Sequence, residues 1–295
     1  MVSGFEVSIG VCAFNEGKNI SKLLEALLNQ KLDKAKINEI IVLSSGSTDQ
    51  TDEIVKVYEK KDGRIRLVSQ PMKEGKASAV NLFIKESKSD ILILESGDTV
   101  PDENTVEELV TPLIDEEVAM VGGHPVPTNP KNSFIGYCVY LVWELHHRLS
   151  LIHPKAGEMV AFRKVIRQIP KETTTDEAWI ESLVVGQGFQ LAYAPNAIIK
   201  MHGPETIRDL VRQRRRIFVG HLHLREKRGY APLTMSTGHV LKAISSIALE
   251  NPLRIPYIMG AVVLEAYSRL AALWLFHVKG CNPYNWEVCV TTKKV

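Results

Sequence analysis

Between residues 5 and 122 the chain alternates between short apolar runs rich in β-branched residues and stretches with apolar residues at helical spacing. F-E-V-S-I-G-V-C-A (5–13), E-I-I-V-L (39–43), R-I-R-L-V-S (64–69), D-I-L-I-L-E (90–95) and 118–122 read as strands. Helices are expected at 19–28 with Asn19 as N-cap, then through Ile54, Val57 and Tyr58 behind a Thr48 or Asp49 cap, and at about 76–87 and 103–114. Strands separated by helices imply an α/β fold with a mostly parallel sheet covered on both faces. Ligands of such sheets bind beyond the carboxyl ends of the strands. That rule places Asn15, Glu16, Ser44, Ser45, Glu95 and Asp98 along one edge.

Beyond residue 123 the pattern changes. Residues 124–200 are less regular: 157–166 read as a loop entering a strand or helix, 176–186 as a helix and 189–194 as a strand. A long basic helix is expected over 205–228. Residues 255–278 are strongly apolar, interrupted by Glu265 and Arg269 at i,i+4 spacing. No uninterrupted run therefore reaches the ~18 to 20 residues of a membrane-spanning helix. In-plane membrane attachment and a plain docking or dimerisation helix both fit this segment.

Composition narrows the picture. The 295 residues are 45% hydrophobic, which supports a full core and excludes general disorder. The net charge of +2 by itself points to no polyanionic partner. Charge is clustered, however: Arg208, Arg212, Arg214, Arg215, Arg216, Arg225, Lys227 and Arg228 face only Asp209 and Glu226 in that stretch. Such a cluster suits a phosphate or a membrane surface. It lacks the interleaved aromatics that would stack nucleic-acid bases, so no nucleic-acid partner is expected. Cys12, Cys138, Cys281 and Cys289 form no C-x-x-C pair, which argues against structural zinc and a disulfide framework and fits a reducing, cytoplasmic setting. The N-terminal residues show no secretion signal.

Two stretches carry chemistry. D-I-L-I-L-E-S-G-D-T-V-P-D (90–102) is an apolar strand ending in Glu95, Asp98 and Asp102. Q-R-R-R-I (213–217) is an amide followed by three arginines. Carboxylates hold hard divalent cations, and guanidinium forks pair with phosphate oxygens. Together they are what an enzyme needs to expel a nucleoside diphosphate.

In order and spacing these motifs resemble the family 2 glycosyltransferases, over residues 7 to about 220. A-F-N-E (13–16) is similar to the family's P-x-[FY]-N-E, and S-S-G-S-T-D (44–49) to its D-D-G-S-T-D, with Ser44 and Ser45 replacing two acids. K-E-G-K-A-S-A-V-N (73–81) resembles G-K-x-x-A-L-N. The resemblance implies a donor site containing Ala13, Asn15, Glu16, Ser45, Lys76, Asn81 and Ser96. L-E-S-G-D-T-V-P-D resembles L-D-x-D-T-x-P-D, which puts Asp98 on the second acid of the metal motif and Ser96 on the first. Asp98 is then the metal ligand, with Glu95 second, for Mg²⁺ or Mn²⁺. G-E-M-V-A-F-R (157–163) is similar to an acceptor segment and implies Gly157 and Arg163. T-D-E-A-W-I-E-S-L-V-V-G-Q-G-F (175–189) resembles T-E-D-x-x-L-x-x-R-L-x-x-x-G-[YF], with the acids reversed. The register implies Glu177 as general base, with Asp176 beside it. Gln213, Arg214 and Arg216 match the Q-R-x-R-W helix, with Ile217 in place of Trp, and would meet the donor diphosphate.

The resemblance implies a GT-A (nucleotide-diphospho-sugar transferase) fold, Rossmann-like, with a helical apolar C-terminal appendage. Residues 1–123 would be the donor-binding half, 124–230 the acceptor and catalytic half, and 231–295 a helical, membrane-associated segment. The implied activity is metal-dependent, inverting hexosyl transfer from a UDP- or GDP-linked sugar to a lipid, lipid-linked or glycan acceptor. The protein would lie peripherally at the inner face of the cell membrane. Loss of acids at Ser44, Ser45 and Ser96 leaves a non-catalytic nucleotide-sugar-binding or scaffold protein as the alternative.

Overall fold

The computed structural model describes residues 4–278 and Thr292. Cys281 and Cys289 lie outside the described residues; Cys12 and Cys138 are free thiols.

The first half follows the expected alternation. Strand β1 (Phe5–Ala13) leads to α1 (Ile20–Leu28), β2 (Ala35–Ser45), α2 (Thr51–Lys61), β3 (Ile65–Gln70), α3 (Lys76–Glu86) and β4 (Ile91–Ser96). β1 pairs in parallel with β2 and with β4, and β2 pairs in parallel with β3. Both faces of these strands are covered, so they read as near-continuous apolar runs. Val7, Ile9 and Val11 pack toward α1 and α2, and Leu92 and Leu94 toward Phe83 and Val80 of α3. The α2 helix begins at Thr51, where the Asp49 carboxylate accepts the Thr51 backbone N–H at 3.0 Å. Of the two expected caps, Asp49 is the one that reaches a backbone N–H at the helix start.

The second half completes one sheet instead of building another. β5 (Thr99–Pro101), α4 (Thr105–Val110) and β6 (Val118–Pro127) precede a long helix, α5 (Phe134–Ser150). β7 (Val160–Arg163), α6 (Asp176–Val185), β8 (Gln190–Met201) and α7 (Ile207–Arg228) follow. The sheet order is β3-β2-β1-β4-β7-β6-β8-β5. β7 runs antiparallel between β4 and β6. Its Val160 end therefore lies beside Leu94, near the carboxyl edge of β4, while Arg163 pairs with Ile91 at the opposite end.

Helices α8 (Thr237–Glu250) and α9 (Ile255–His277) come next. α9 packs along α7 and α5. The acids and bases that interrupt its apolar run are turned inward: Glu265 accepts Arg214 Nε from α7 at 2.8 Å and Arg269 Nε at 2.8 Å. Pro252–His277 is long and apolar enough to cross a membrane by length and composition alone, with the Glu265 and Arg269 interruptions still present in the run. Its outer side carries Ile255, Met259, Val263, Tyr267, Leu270, Trp274 and Val278, all exposed. These recur every three to four residues, so they form one stripe along about 35 Å of helix.

Candidate active site

The carboxyl ends of β1, β2 and β4 face a cavity of about 740 Å³. Its floor is built where strands stop. Ala13 ends β1 with Phe14 next, Ser45 ends β2, and Ser96 ends β4 with Asp98 just beyond. Two tight backbone approaches shape this edge. Gly46 has φ +67°, and a Cβ there would meet the Met72 backbone at 2.7 Å. A Cβ on Gly97 would meet the Glu16 side chain at 2.8 Å, so the turn carrying Asp98 sits directly on the β1 loop.

Lys76, the first residue of α3, reaches across this floor. Its Nζ donates to Glu177 Oε1 at 2.6 Å and to Ser96 Oγ at 3.1 Å. Burial alone would lower the Lys76 ammonium, but the Glu177 and Asp176 carboxylates outweigh it and raise it. Asp176 is 4% exposed, and one of its oxygens has no hydrogen-bond partner. Burial, reinforced by the neighbouring Glu177 charge, pushes its acid up to about 7.

Glu158 is a functional candidate that the sequence reading passed over. It lines the cavity just before β7, and burial pushes its carboxyl up to about 7 with Asp98 and Glu177 adding to the shift. The only sequence signal was its place in G-E-M-V-A-F-R, beside the glycine that was singled out. Lys155, Glu181 and His221 also line the cavity and carried no motif signal.

The expected site residues divide by position. Ala13, Glu16, Ser45, Lys76, Ser96, Asp98, Gly157, Asp176, Glu177, Gln213, Arg214 and Arg216 all line the cavity. Four others stand outside its lining. Asn15, at φ 54°, accepts the Thr48 backbone N–H at 2.7 Å and so ties the β1 and β2 loops together. Asn81 exchanges hydrogen bonds with the Ile169 backbone, accepting its N–H at 2.7 Å and donating to its carbonyl at 2.9 Å. Glu95 is fully buried and bonded to Thr99, and burial raises its carboxyl well above the usual range. Arg163 points to the far end of the sheet, donating to the Leu113 and Val118 carbonyls at 2.6 and 3.0 Å. Arg214 lines the cavity, but its guanidinium fork is engaged by Glu265.

Among the described residues, no three His, Cys, Asp or Glu side chains converge as a ready-made metal centre. The Asp98 carboxylate acts on both Glu95 and Glu158, and Glu95 Oε2 is buried with no partner. Crowded carboxylates with raised pKa values are a setting that a hard divalent cation relieves, if other ligands complete its shell.

Known proteins resemble this chain in sequence and in fold. A family model described as glycosyl transferase family 2 matches residues 8–167, and one described as glycosyl transferase family group 2 matches residues 91–280. Glycosyltransferase AglE of Haloferax volcanii is 31% identical over 124 residues, 42% of this chain and 40% of that protein. Poly-beta-1,6-N-acetyl-D-glucosamine synthase of Staphylococcus aureus is 26% identical over 218 residues, 69% of this chain and 52% of that protein. The chain thus spans about half or less of the length of these relatives. Among solved structures, mannosyltransferase PcManGT of Pyrobaculum calidifontis, in complex with GDP-Man and Mn²⁺, superimposes with a TM-score of 0.59 at 22% identity. That match covers 94% of this chain and 81% of the other. Glucosyl-3-phosphoglycerate synthase of Mycobacterium tuberculosis, with Mn²⁺ and UDP, gives 0.52 at 20% identity, covering 75% and 78%.

Proposed function

The chain belongs to glycosyl transferase family 2, and from that premise we propose that it transfers a sugar from a UDP- or GDP-linked donor to an acceptor hydroxyl with inversion. The observation that carries this reading is convergence. Asp98, Lys76, Arg216 and the Asp176–Glu177 pair meet in one cavity at the carboxyl edge of the sheet.

The nucleoside lies over Phe14 and Ser45, at the ends of β1 and β2. Serine offers hydrogen bonds without charge, so base recognition here is neutral. The diphosphate lies over Lys76 and toward Arg216. Its charge draws Lys76 Nζ away from Glu177, so donor binding frees the base. Glu177 then takes the proton of the acceptor hydroxyl as that oxygen attacks the anomeric carbon. The bond from that carbon to the phosphate oxygen breaks, and its electron pair leaves with the nucleoside diphosphate. Direct attack of this kind inverts the anomeric centre. Asp176, buried and next in sequence to Glu177, is the other acid that acts on Lys76. A bound divalent cation, held by Asp98 with Glu158, would supply further positive charge to the leaving diphosphate. The Mn²⁺ with GDP-Man or UDP in the two solved neighbours supports a divalent cation in general.

Residues 1–123 form the donor half, 124–230 the acceptor and catalytic half, and the described residues 231–278 an appended helical segment. The exposed stripe of α9 supports peripheral attachment to a membrane; on our reading this is the cytoplasmic face, next to a lipid or lipid-linked acceptor.

Thermal-shift measurements with UDP-, GDP- and dTDP-sugars, each with and without Mn²⁺, test the reading. One base should raise the melting temperature, more so with metal. Asp98→Asn should remove the metal-dependent part and leave the unliganded melt unchanged. No shift with any donor would overturn the proposal.

A further inference from the structure

Ser96 stands where the metal motif has its first acid, so β4 offers Asp98 no second carboxylate on the cavity side. Glu95 and Glu158 both feel the Asp98 charge, and the register of the sheet decides between them. Side chains alternate along a strand. Leu92 and Leu94 of β4 share a core with α3, while Ile91 and Ile93 join the core on the opposite face. Glu95 continues the face of Ile91 and Ile93, where it is bonded to Thr99 and stands outside the cavity lining. Ser96 continues the face of Leu92 and Leu94, and its hydroxyl accepts Lys76 Nζ at 3.1 Å.

β7 runs antiparallel beside β4, with Ile91 opposite Arg163, Ile93 opposite Ala161 and Leu94 opposite Val160. Two residues further along each strand, the same register brings Glu158 opposite Ser96. On its other side β7 does continue past Val160, since the Gly123 N–H donates to the Met159 carbonyl at 3.0 Å. The alternation agrees: Val160 and Phe162 share the core of Leu92 and Leu94, so Glu158 comes to the face of Ser96. Glu158 lines the cavity with Ser96, Asp98 and Lys76. Directly opposed residues have Cβ atoms about 5 Å apart, a gap that a glutamate side chain crosses.

We propose that Glu158 supplies, from the neighbouring strand, the acid that Ser96 lacks, so that a divalent cation is gripped between the turn after β4 and the entry to β7. The two carboxylates balance the charge of one such cation, and diphosphate oxygens and water complete its shell. The inference rests on the glycosyltransferase reading and adds to it the exchange of an acid between strands.

The test uses the full chain and nucleoside diphosphates without sugar, so that sugar contacts do not enter. Titration calorimetry measures UDP and GDP with and without Mn²⁺. Mn²⁺ should tighten one of them. Glu158→Gln should cut that gain by about tenfold or more, since even supporting contacts of a metal site carry that much affinity, and should leave metal-free binding unchanged. Ser96→Asp added to Glu158→Gln should restore most of the gain, because it returns an acid to the opposed position on β4; a merely structural Glu158 gives no such rescue. If Glu158→Gln gives no cooperative melt, Glu158→Ala serves for the same pair of measurements. A Mn²⁺ gain that survives the loss of Glu158, or a loss that Ser96→Asp does not repair, overturns the proposal. So does a loss confined to sugar nucleotides, which would make Glu158 a sugar contact. Nucleotide binding that Mn²⁺ does not improve overturns this inference and leaves the transferase reading standing, whereas no nucleotide binding at all overturns both.

Discussion

Removing the carboxylate of Glu265 should loosen α9 from the catalytic domain. Glu265 accepts Arg214 Nε at 2.8 Å and Nη2 at 3.1 Å from α7, and Arg269 Nε at 2.8 Å from its own helix. Burial works against its charge, yet the two guanidinium groups hold its carboxyl down at about 2, from an ordinary 4.5. A depression of that size corresponds to about 3 kcal/mol in favour of the folded state at neutral pH. The sign is that of a lowered acid: the contribution is fully present above pH 4.5 and is lost as pH falls toward 2. Stripping one partner from a buried ion pair costs ~3 to 5 kcal/mol, and this pair, being partly buried, belongs at the lower end of that range. Glu265→Leu should therefore cost about 3 kcal/mol in urea unfolding at pH 7. If α9 opens alone, the loss appears instead as faster amide exchange over Ile255–His277. Arg214→Met on that background should recover part of the loss, because it removes the stranded charge. A cost below about 1 kcal/mol, with unchanged exchange in α9, would refute the idea that this pair clamps the helix.

Three further outcomes follow from the site. Glu177→Gln should keep the donor-induced melting shift but lower turnover by ~10²-fold or more, and Asp176→Asn should cost less; the reverse ranking moves the base to Asp176. His146 is 5% exposed with Nε2 3.0 Å from the Ala156 carbonyl, and burial pushes its imidazolium from 6.5 to about 3. The unfolded chain then binds the extra proton, so stability should fall by about 2 kcal/mol between pH 7 and pH 5 from this residue, and His146→Gln should flatten that slope in pH-dependent melts. Replacing Met259, Val263 and Leu270 together with Glu should release the protein from anionic liposomes in flotation without lowering donor binding. Those side chains are exposed, whereas deletion of α9 would also strip the cover from Arg214.

The local pattern determined most of the first half. The runs at 5–13, 39–43, 64–69 and 90–95 become β1 to β4, because a strand buried on both faces must be apolar along its length. The rule that ligands sit at strand ends then located Ser45 and Asp98 at the cavity from topology alone. Other elements were illegible for a physical reason. F-I-G-Y-C-V-Y-L-V-W-E-L-H-H-R-L-S is as rich in aromatic and β-branched residues as a strand. It is helix α5 because β6, α8 and α9 pack around it. Arg163 follows the same logic. Its motif sits near the cavity, but β7 enters antiparallel, so Val160 lies toward the active end and Arg163 is carried to the other. Tertiary structure alone decided which charges meet. Lys76 finds Glu177 across 101 residues, and Arg214 finds Glu265 across 51. A side chain's charge is written in the sequence, but its partner is set by the path of the chain between them. That path also turned two apparent breaks in an apolar helix, Glu265 and Arg269, into contacts that seat it, and left one apolar stripe of that helix facing outward.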